Sequence, residues 1–368
     1  MTMDRPVRVG IIGLSARGGW AATSHVPALA ALPGYELVAL TASSPESTRA
    51  AGDAFGVPHV YDDPAALATS DEVDLVVVTV KVSRHHELLV PALRAGKAVL
   101  SEWPLGNGLA EAEDLVALAE RTGARTAVGL QARSAPVLNY VRDLIADGYV
   151  GTVLSTSLIG SGSAWGARVG PGQRYTLDES EGVSMLSVPF GHTAAALTMI
   201  LGEFAEVEAR TAIRRPMVFD PETGRDHPMT VPDQLTVTGV LSGGAVAAIH
   251  YRGGMSRATN FRWEINGTDG DLVITGVNGH LQFGFVEVAG ARGDQSELAP
   301  LPTPAEYTLV PALDPAAPAY TVGHAYAHFL SDLRDGTRMT PDFADGLHTH
   351  RLLAAVEEAA RTGVRQKL

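Results

Sequence analysis

The chain has 368 residues, 45% of them hydrophobic, which is enough for two domains with buried cores. Its net charge is −13 and its pI about 5.3, a balance that repels phosphate backbones and anionic membranes, so neither nucleic acid nor a membrane surface is an expected partner. Cysteine is absent, which removes disulfides, thiolate metal sites and cysteine nucleophiles.

The first residues lead into a strand without a signal-peptide apolar region, and no uninterrupted apolar segment is read as membrane-spanning, so a cytoplasmic protein is expected. The run Val7-Arg8-Val9-Gly10-Ile11-Ile12 reads as a buried strand entering the turn Gly13-Leu14-Ser15-Ala16-Arg17-Gly18-Gly19-Trp20. Backbone N–H groups in such a turn hold a pyrophosphate, and Gly13 permits the tight bend. Ser15 stands where the dinucleotide fingerprint has its middle glycine, so an ordinary strand-to-helix turn remains the alternative.

Pro27 opens a helix over 28–32, and 35–40 is a second strand. A helix over 45–55, a short strand over 57–61 and a helix over 65–69 capped by Asp62 and Asp63 follow. The β-branched run 74–80 reads as a parallel strand buried on both faces. Helix 86–95, strand 98–102, helix 111–122 and strand 126–130 continue the alternation, which predicts a parallel α/β sheet. After Gln131 the pattern changes: a helix over 136–147, then alternating runs at 235–241, 245–251 and 261–265 joined by Ser242-Gly243-Gly244 and Thr268-Asp269-Gly270 turns. Residues 288–318 read as a surface excursion, and helices over 325–333 and 347–361 close the chain. The expected organisation is a dinucleotide-binding Rossmann domain over 1–128 and an α+β domain over 129–368. The second carries a large, mainly antiparallel open sheet, and its final helices are expected to pack back on the first domain.

The N-terminal turn, the stretch Ala95-Gly96-Lys97-Ala98-Val99-Leu100-Ser101-Glu102-Trp103-Pro104 and Gly267-Thr268-Asp269-Gly270-Asp271-Leu272 together resemble one superfamily over essentially the whole chain. It is the glucose–fructose oxidoreductase / inositol dehydrogenase (Gfo/Idh/MocA) superfamily. His25 and Pro27, Val80-Lys81-Val82, Glu102-Trp103, Leu130-Gln131-Ala132-Arg133 and Phe190-Gly191-His192-Thr193 are similar to its galactose-regulon-repressor-like subgroup. The resemblance implies a nicotinamide dinucleotide, a substrate site covered by the second domain, and a homo-oligomer, dimer or tetramer, built through the open sheet. Alternation puts Leu235, Val237 and Leu241 on one face of the strand and Thr236, Thr238 and Val240 on the other; one face packs on the domain's own helices, and the resemblance implies that the other is covered by another subunit. Two positions depart from the pattern. Trp103 stands where the superfamily has a lysine that hydrogen-bonds the substrate hydroxyl, and Val188 stands where many members have an aspartate four residues before the histidine.

Candidate catalytic groups are His192, which titrates near neutrality, Lys81, at the end of a parallel strand, and Tyr175, in a loop that the resemblance places over the site. Each has a plainer reading: a structural histidine, a solvated cap, a loop anchor. Gln131, Arg133, Trp165, Asp178 and Trp103 are candidate substrate contacts, with Trp165 suited to stack on a sugar face. Cofactor contacts are expected from Gly13, Ser15, Ala16, Gly18, Trp20, Thr79, Lys81, His85 and Glu102. No acid follows the second strand; Ser43 and Ser44 serve either a ribose hydroxyl or a phosphate, and Arg49 is near enough to pair with a 2′-phosphate. NAD and NADP both stand, written NAD(P). The spacing of His85 with His86 and of His348 with His350 fits no metal site, and a serine-hydrolase elbow is absent.

Three functions follow. One is a dehydrogenase acting on a carbohydrate or polyol hydroxyl, its substrate neutral or anionic. Another is a glycosidase that uses NAD in transient oxidation, elimination, hydration and re-reduction. The last is a non-catalytic, dinucleotide-binding transcriptional co-regulator.

Overall fold

The computed structural model describes residues 5–368. They divide into two compact units: the chain up to Ser134 together with Thr308–His348, and Ala135–Tyr307 together with Thr349–Leu368.

In the first unit the strands are β1 (Val7–Ile12), β2 (Tyr35–Thr41), β3 (His59–Val60), β4 (Leu75–Val78), β5 (Ala98–Glu102) and β6 (Thr126–Gly129), all parallel, in the order β3-β2-β1-β4-β5-β6. The order reverses between β1 and β4, and ligands of such sheets bind outside the carboxyl ends of the strands at that point. The helices between them are α1 (Val26–Ala30), α2 (Pro45–Phe55), α3 (Pro64–Thr69), α4 (His85–Arg94) and α5 (Leu109–Thr122). Ser44 and Asp63 cap α2 and α3 through their side-chain oxygens. A π-helical turn, Ala21–His25, precedes α1, so Pro27 falls inside the first turn of α1 and the helix begins earlier than 28.

The chain enters the second unit through α6 (Pro136–Ala146), β7 (Val153–Gly162), α7 (Gly191–Leu201) and β8 (Phe204–Ala212). A ribbon of β9 (Met217–Asp220) and β10 (Arg225–Pro228) stands apart from the main sheet. The sheet continues with β11 (Gln234–Leu241), β12 (Val246–Gly253), β13 (Phe261–Gly267), β14 (Gly270–Gly276), β15 (Val286–Arg292) and β16 (Ala299–Pro300). Helices α8 (Ala319–Asp335) and α9 (Phe343–Thr362) follow, then β17 (Gln366–Lys367). The sheet runs β16-β15-β14-β13-β7-β12-β11-β8-β17 and is antiparallel except between β7 and β12. Its inner face carries Leu158, Leu235, Val237, Ile249, Tyr251, Trp263 and Ile274, all buried. Gly160 pairs with Tyr251, and a Cβ there would lie 2.2 Å from the tyrosine ring. The other face presents Ser157, Ile159, Thr236, Thr238, Ala248, His250, Arg262 and Glu264 around a shallow cavity of about 370 Å³.

Four expectations are corrected. The 288–318 stretch is no pure excursion: Val286–Arg292 pairs with β14 and carries β16 on its outer edge, its alternation masked in sequence by Gly290 and Gly293. The closing helices begin at Ala319 and Phe343 rather than at 325 and 347; in the first of them Thr321 and His324 are buried polar residues that break the apolar period. The first unit extends to Ser134, since the turn Gln131–Ser134 packs on α8, which belongs to the same unit. The run Glu179–Leu201 is long and apolar enough to cross a membrane by length and composition, although 67% of its most apolar window is buried inside the protein, as in a core helix.

Candidate active site

In the first unit, β1 ends in a turn with open space above it. Gly13 has φ +105°, and a Cβ there would lie 2.8 Å from Val80 and 3.0 Å from the Thr79 hydroxyl. Gly18 and Gly19 have φ +102° and +105°, and no atom lies within 4 Å of where their side chains would project. The Ser15 hydroxyl oxygen accepts from the Arg17 N–H at 3.2 Å, and the Gly18 N–H donates to the Ser15 carbonyl. The N–H groups of Ser15, Ala16 and Gly19 have no hydrogen-bond partner among the described residues. Unpartnered donors in a turn with open approach fit a pyrophosphate. At the end of β2, Ser44 is engaged in capping α2, accepting from the Ser47 N–H, while Ser43 and Arg49 are exposed.

The ends of β4, β5 and β6 gather the next groups. Thr79 donates its hydroxyl to the Ile12 carbonyl, and Lys81 is exposed just beyond the strand. Glu102 ends β5. Its carboxylate accepts the Gln131 Nε2 at 3.0 and 2.9 Å and lies 3.0 Å from the His25 Nε2. Gly129 on β6 leaves room for it, since a Cβ there would lie 2.9 Å from the carboxyl carbon and both oxygens. Trp103 follows, buried at 7% exposure, with a cis bond to Pro104. His85 was expected among the cofactor contacts. Instead it is buried, its Nε2 donating to the Val80 carbonyl and its Nδ1 3.3 Å from the Ser101 hydroxyl, so it braces β4 and β5 from beneath. Burial holds its pKa below the usual imidazole range. Arg133 pairs with Asp345 at 2.7 Å, which neutralises the cation expected to meet an anionic substrate.

In the second unit, His192 lies in the first turn of α7 at 4% exposure, and its Nδ1 has no hydrogen-bond partner among the described residues. Burial, aided by the nearby His280, depresses its pKa to about 3, so the ring is neutral at physiological pH. Tyr175 is half-buried, and burial together with Glu181 raises its pKa, leaving a neutral hydroxyl. Asp178 accepts the Ser180 N–H and hydroxyl at 2.9 and 2.8 Å; these bonds hold its pKa low and make it a turn cap rather than a substrate contact. Trp165 has φ +56°, rare for a bulky residue, and is 4% exposed. Its Nε1 donates to the Thr176 carbonyl, and its ring stacks on His280 with centroids 6.4 Å apart, so it is not offered to a sugar face.

Three residues escaped the sequence reading. His280 is pinned by the Ser163 N–H on its Nε2 and by the Gln282 amide 3.0 Å from its Nδ1. His25 and Tyr326 form a buried pair, Nδ1 to hydroxyl at 2.8 Å. Their partners lie far away in sequence and leave no local signal, apart from the recurrence of His25 in the motif.

A family model described as an oxidoreductase family with an NAD-binding Rossmann fold matches residues 7–130, and one described as the Gal80p C-terminal domain matches 136–276. The dehydrogenase aclE of Aspergillus oryzae is 32% identical over 288 residues, 74% of this chain and 78% of that protein. The galactose/lactose metabolism regulatory protein GAL80 of Saccharomyces cerevisiae is 30% identical over 311 residues, 77% of this chain and 69% of that protein. A levoglucosan dehydrogenase crystallised with NADH and L-sorbose shares the fold, with TM-score 0.84 at 21% identity, 98% of each chain being covered. The chain therefore belongs to the Gfo/Idh/MocA oxidoreductase family of NAD(P)-binding Rossmann proteins, close to its Gal80-like group.

Proposed function

We propose that the protein is an NAD(P)-dependent oxidoreductase acting on a hydroxyl group, or the corresponding carbonyl, of a carbohydrate-like substrate. The observation that carries this reading is the Glu102 carboxylate, held by two donors at the end of β5, on a sheet whose β1 turn offers unpartnered N–H groups. Such an arrangement suits a ribose hydroxyl and a pyrophosphate. The similarity to aclE and to levoglucosan dehydrogenase supports the reaction class. A bound nicotinamide supplies hydride acceptance and donation. Lys81 presents a cation at the strand ends, suited to an oxygen that gains negative charge. His192, neutral through the physiological range, takes a hydroxyl proton or hydrogen bond on its ring, while Tyr175 offers a neutral donor.

A second reading, a dinucleotide-binding regulator that catalyses nothing, is favoured by two observations. Trp103 replaces the family's lysine with a side chain that cannot titrate, and the pKa of His192 lies far below that of an efficient base at pH 7. The kinship to GAL80 supports it as well. Purified protein incubated with sugars, polyols and NAD(P) separates the readings. Net formation of reduced nicotinamide is the expected result. Glycoside cleavage without net reduction indicates a redox-assisted glycosidase, and dinucleotide binding without either reaction indicates the regulator. We also propose that the open sheet face is covered by a second copy of the chain. Light scattering at micromolar concentration is expected to give a dimer or tetramer, and a monomer contradicts this.

A further inference from the structure

His25 and Tyr326 are both fully buried, and His25 lies against the Glu102 carboxylate. A carboxylate only accepts, so the His25 Nε2 carries the proton that reaches Glu102 at 3.0 Å. The His25 Nδ1 is then a bare acceptor, and the Tyr326 hydroxyl 2.8 Å away donates to it. Tyr326 is itself clamped: the Tyr35 hydroxyl donates to its carbonyl at 3.0 Å, and its ring meets Tyr35 and His25 edge-on, with centroids 5.2 and 5.7 Å apart. All three side chains are buried in the core cluster or against it. The chain of bonds runs from helix α8 to the end of β5, joining residues 301 and 77 positions apart in sequence.

We propose that His25 and Tyr326 are positioning residues that fix the rotation of the Glu102 carboxylate, so that the α8 helix sets the affinity of the nicotinamide half of the dinucleotide. The inference rests on the dinucleotide reading above. Glu102 has Gln131 on one side and bare Gly129 backbone on another, so His25 is what sets the plane of its carboxylate. The carboxylate selects the Nε2-protonated tautomer, and the Tyr326 hydroxyl, donating to Nδ1, holds the ring in the orientation that delivers that proton. Without that hydroxyl, Nδ1 is a buried acceptor with no donor, and the ring loses the contact that fixes its tilt toward the carboxylate. In the sheet order, β2 and β5 flank β1 on opposite sides. Adenosine ribose is read at the end of β2, so Glu102 acts on the other half of the ligand.

The test compares NADH, or NADPH if that binds better, with ADP, which lacks the nicotinamide riboside. Tyr326→Phe removes one oxygen and leaves the packing in place; it is expected to weaken NAD(P)H binding by about fivefold to tenfold and leave ADP binding unchanged. His25→Ala acts in the same way and more strongly, and His25→Gln, whose amide reaches Glu102, recovers part of the loss. The ¹⁵N resonances of His25 are expected to report an Nε2-protonated ring in both proteins, with the Nδ1 resonance moved toward that of a bare, unbonded ring nitrogen in Tyr326→Phe. Equal weakening of ADP and NAD(P)H, or no weakening of either, overturns the inference while leaving the dinucleotide reading intact. A folded wild type that binds neither NADH nor NADPH overturns both.

Discussion

Glu102 and His192 stand in different units and in opposite electrostatic conditions. The carboxylate has a donor on each side and a glycine cut to its shape. The imidazole is buried with a ring nitrogen that meets no partner among the described residues, beside a second buried histidine. Paired polar groups arranged before a ligand arrives bind it without reorganisation, whereas a buried unpaired group is destabilising until something fills its hydrogen-bond capacity. The first unit is therefore built for binding. The second holds a ring with hydrogen-bond capacity that no described residue fills.

The largest effect is expected at the β1 turn. Gly13→Val forces a branched side chain to φ +105° and into Val80, and should lower dinucleotide affinity by more than roughly a hundredfold in a protein that still folds, as calorimetry and circular dichroism would show. Undiminished affinity would remove the first half of the comparison. Next, His192→Ala should reduce turnover by about a hundredfold with dinucleotide affinity nearly unchanged. A loss confined to KM would show that the ring binds substrate without moving a proton.

Acid stability sharpens the contrast further. His192 is held at about 3, and His280 and His350 at about 4, by burial in the second unit. The unfolded chain takes up these protons near pH 6.5 and the folded chain does not, so their contribution is complete above pH 6.5 and is lost as pH falls toward 4. The slope is about 1.4 kcal/mol per pH unit for each such ring. Denaturant titrations at pH 7 and 5 should show this fall, and His192→Gln should flatten it. An identical slope in the variant would mean that the ring is solvated. The smallest effect is expected for Asp178→Ala. A carboxylate engaged with Ser180 as a turn cap should leave KM within about twofold and cost about 1 kcal/mol of stability. A KM increase of tenfold would return Asp178 to the substrate site.

Local signals carried most of the first unit. Strand runs, the glycine turn and the Asp63 cap act between near neighbours, so period and turn chemistry reveal them, whereas Ser44, read as a cofactor contact, caps α2 instead. Ser15 in a glycine's place obscured nothing essential, because the donors in the turn belong to the backbone. What stayed hidden is non-local. His25 needs Glu102 and Tyr326, and Trp165 needs Thr176 and His280; no periodicity links these partners. Arg133 and Asp178 looked like ligand groups because a charge reads the same in sequence whether it meets a substrate or, as here, Asp345 and Ser180. Strand β15 was lost among glycine and proline, although its pairing with β14 is regular.

Titration of NADH and NADPH into the wild type and into Glu102→Gln measures what the carboxylate contributes to the dinucleotide site. One saturable site per chain is expected in the wild type and an affinity about tenfold lower in the variant, the effect of about 1.4 kcal/mol from one charge-assisted hydrogen bond. No saturable binding in the wild type, or equal affinities in the two proteins, would contradict that expectation.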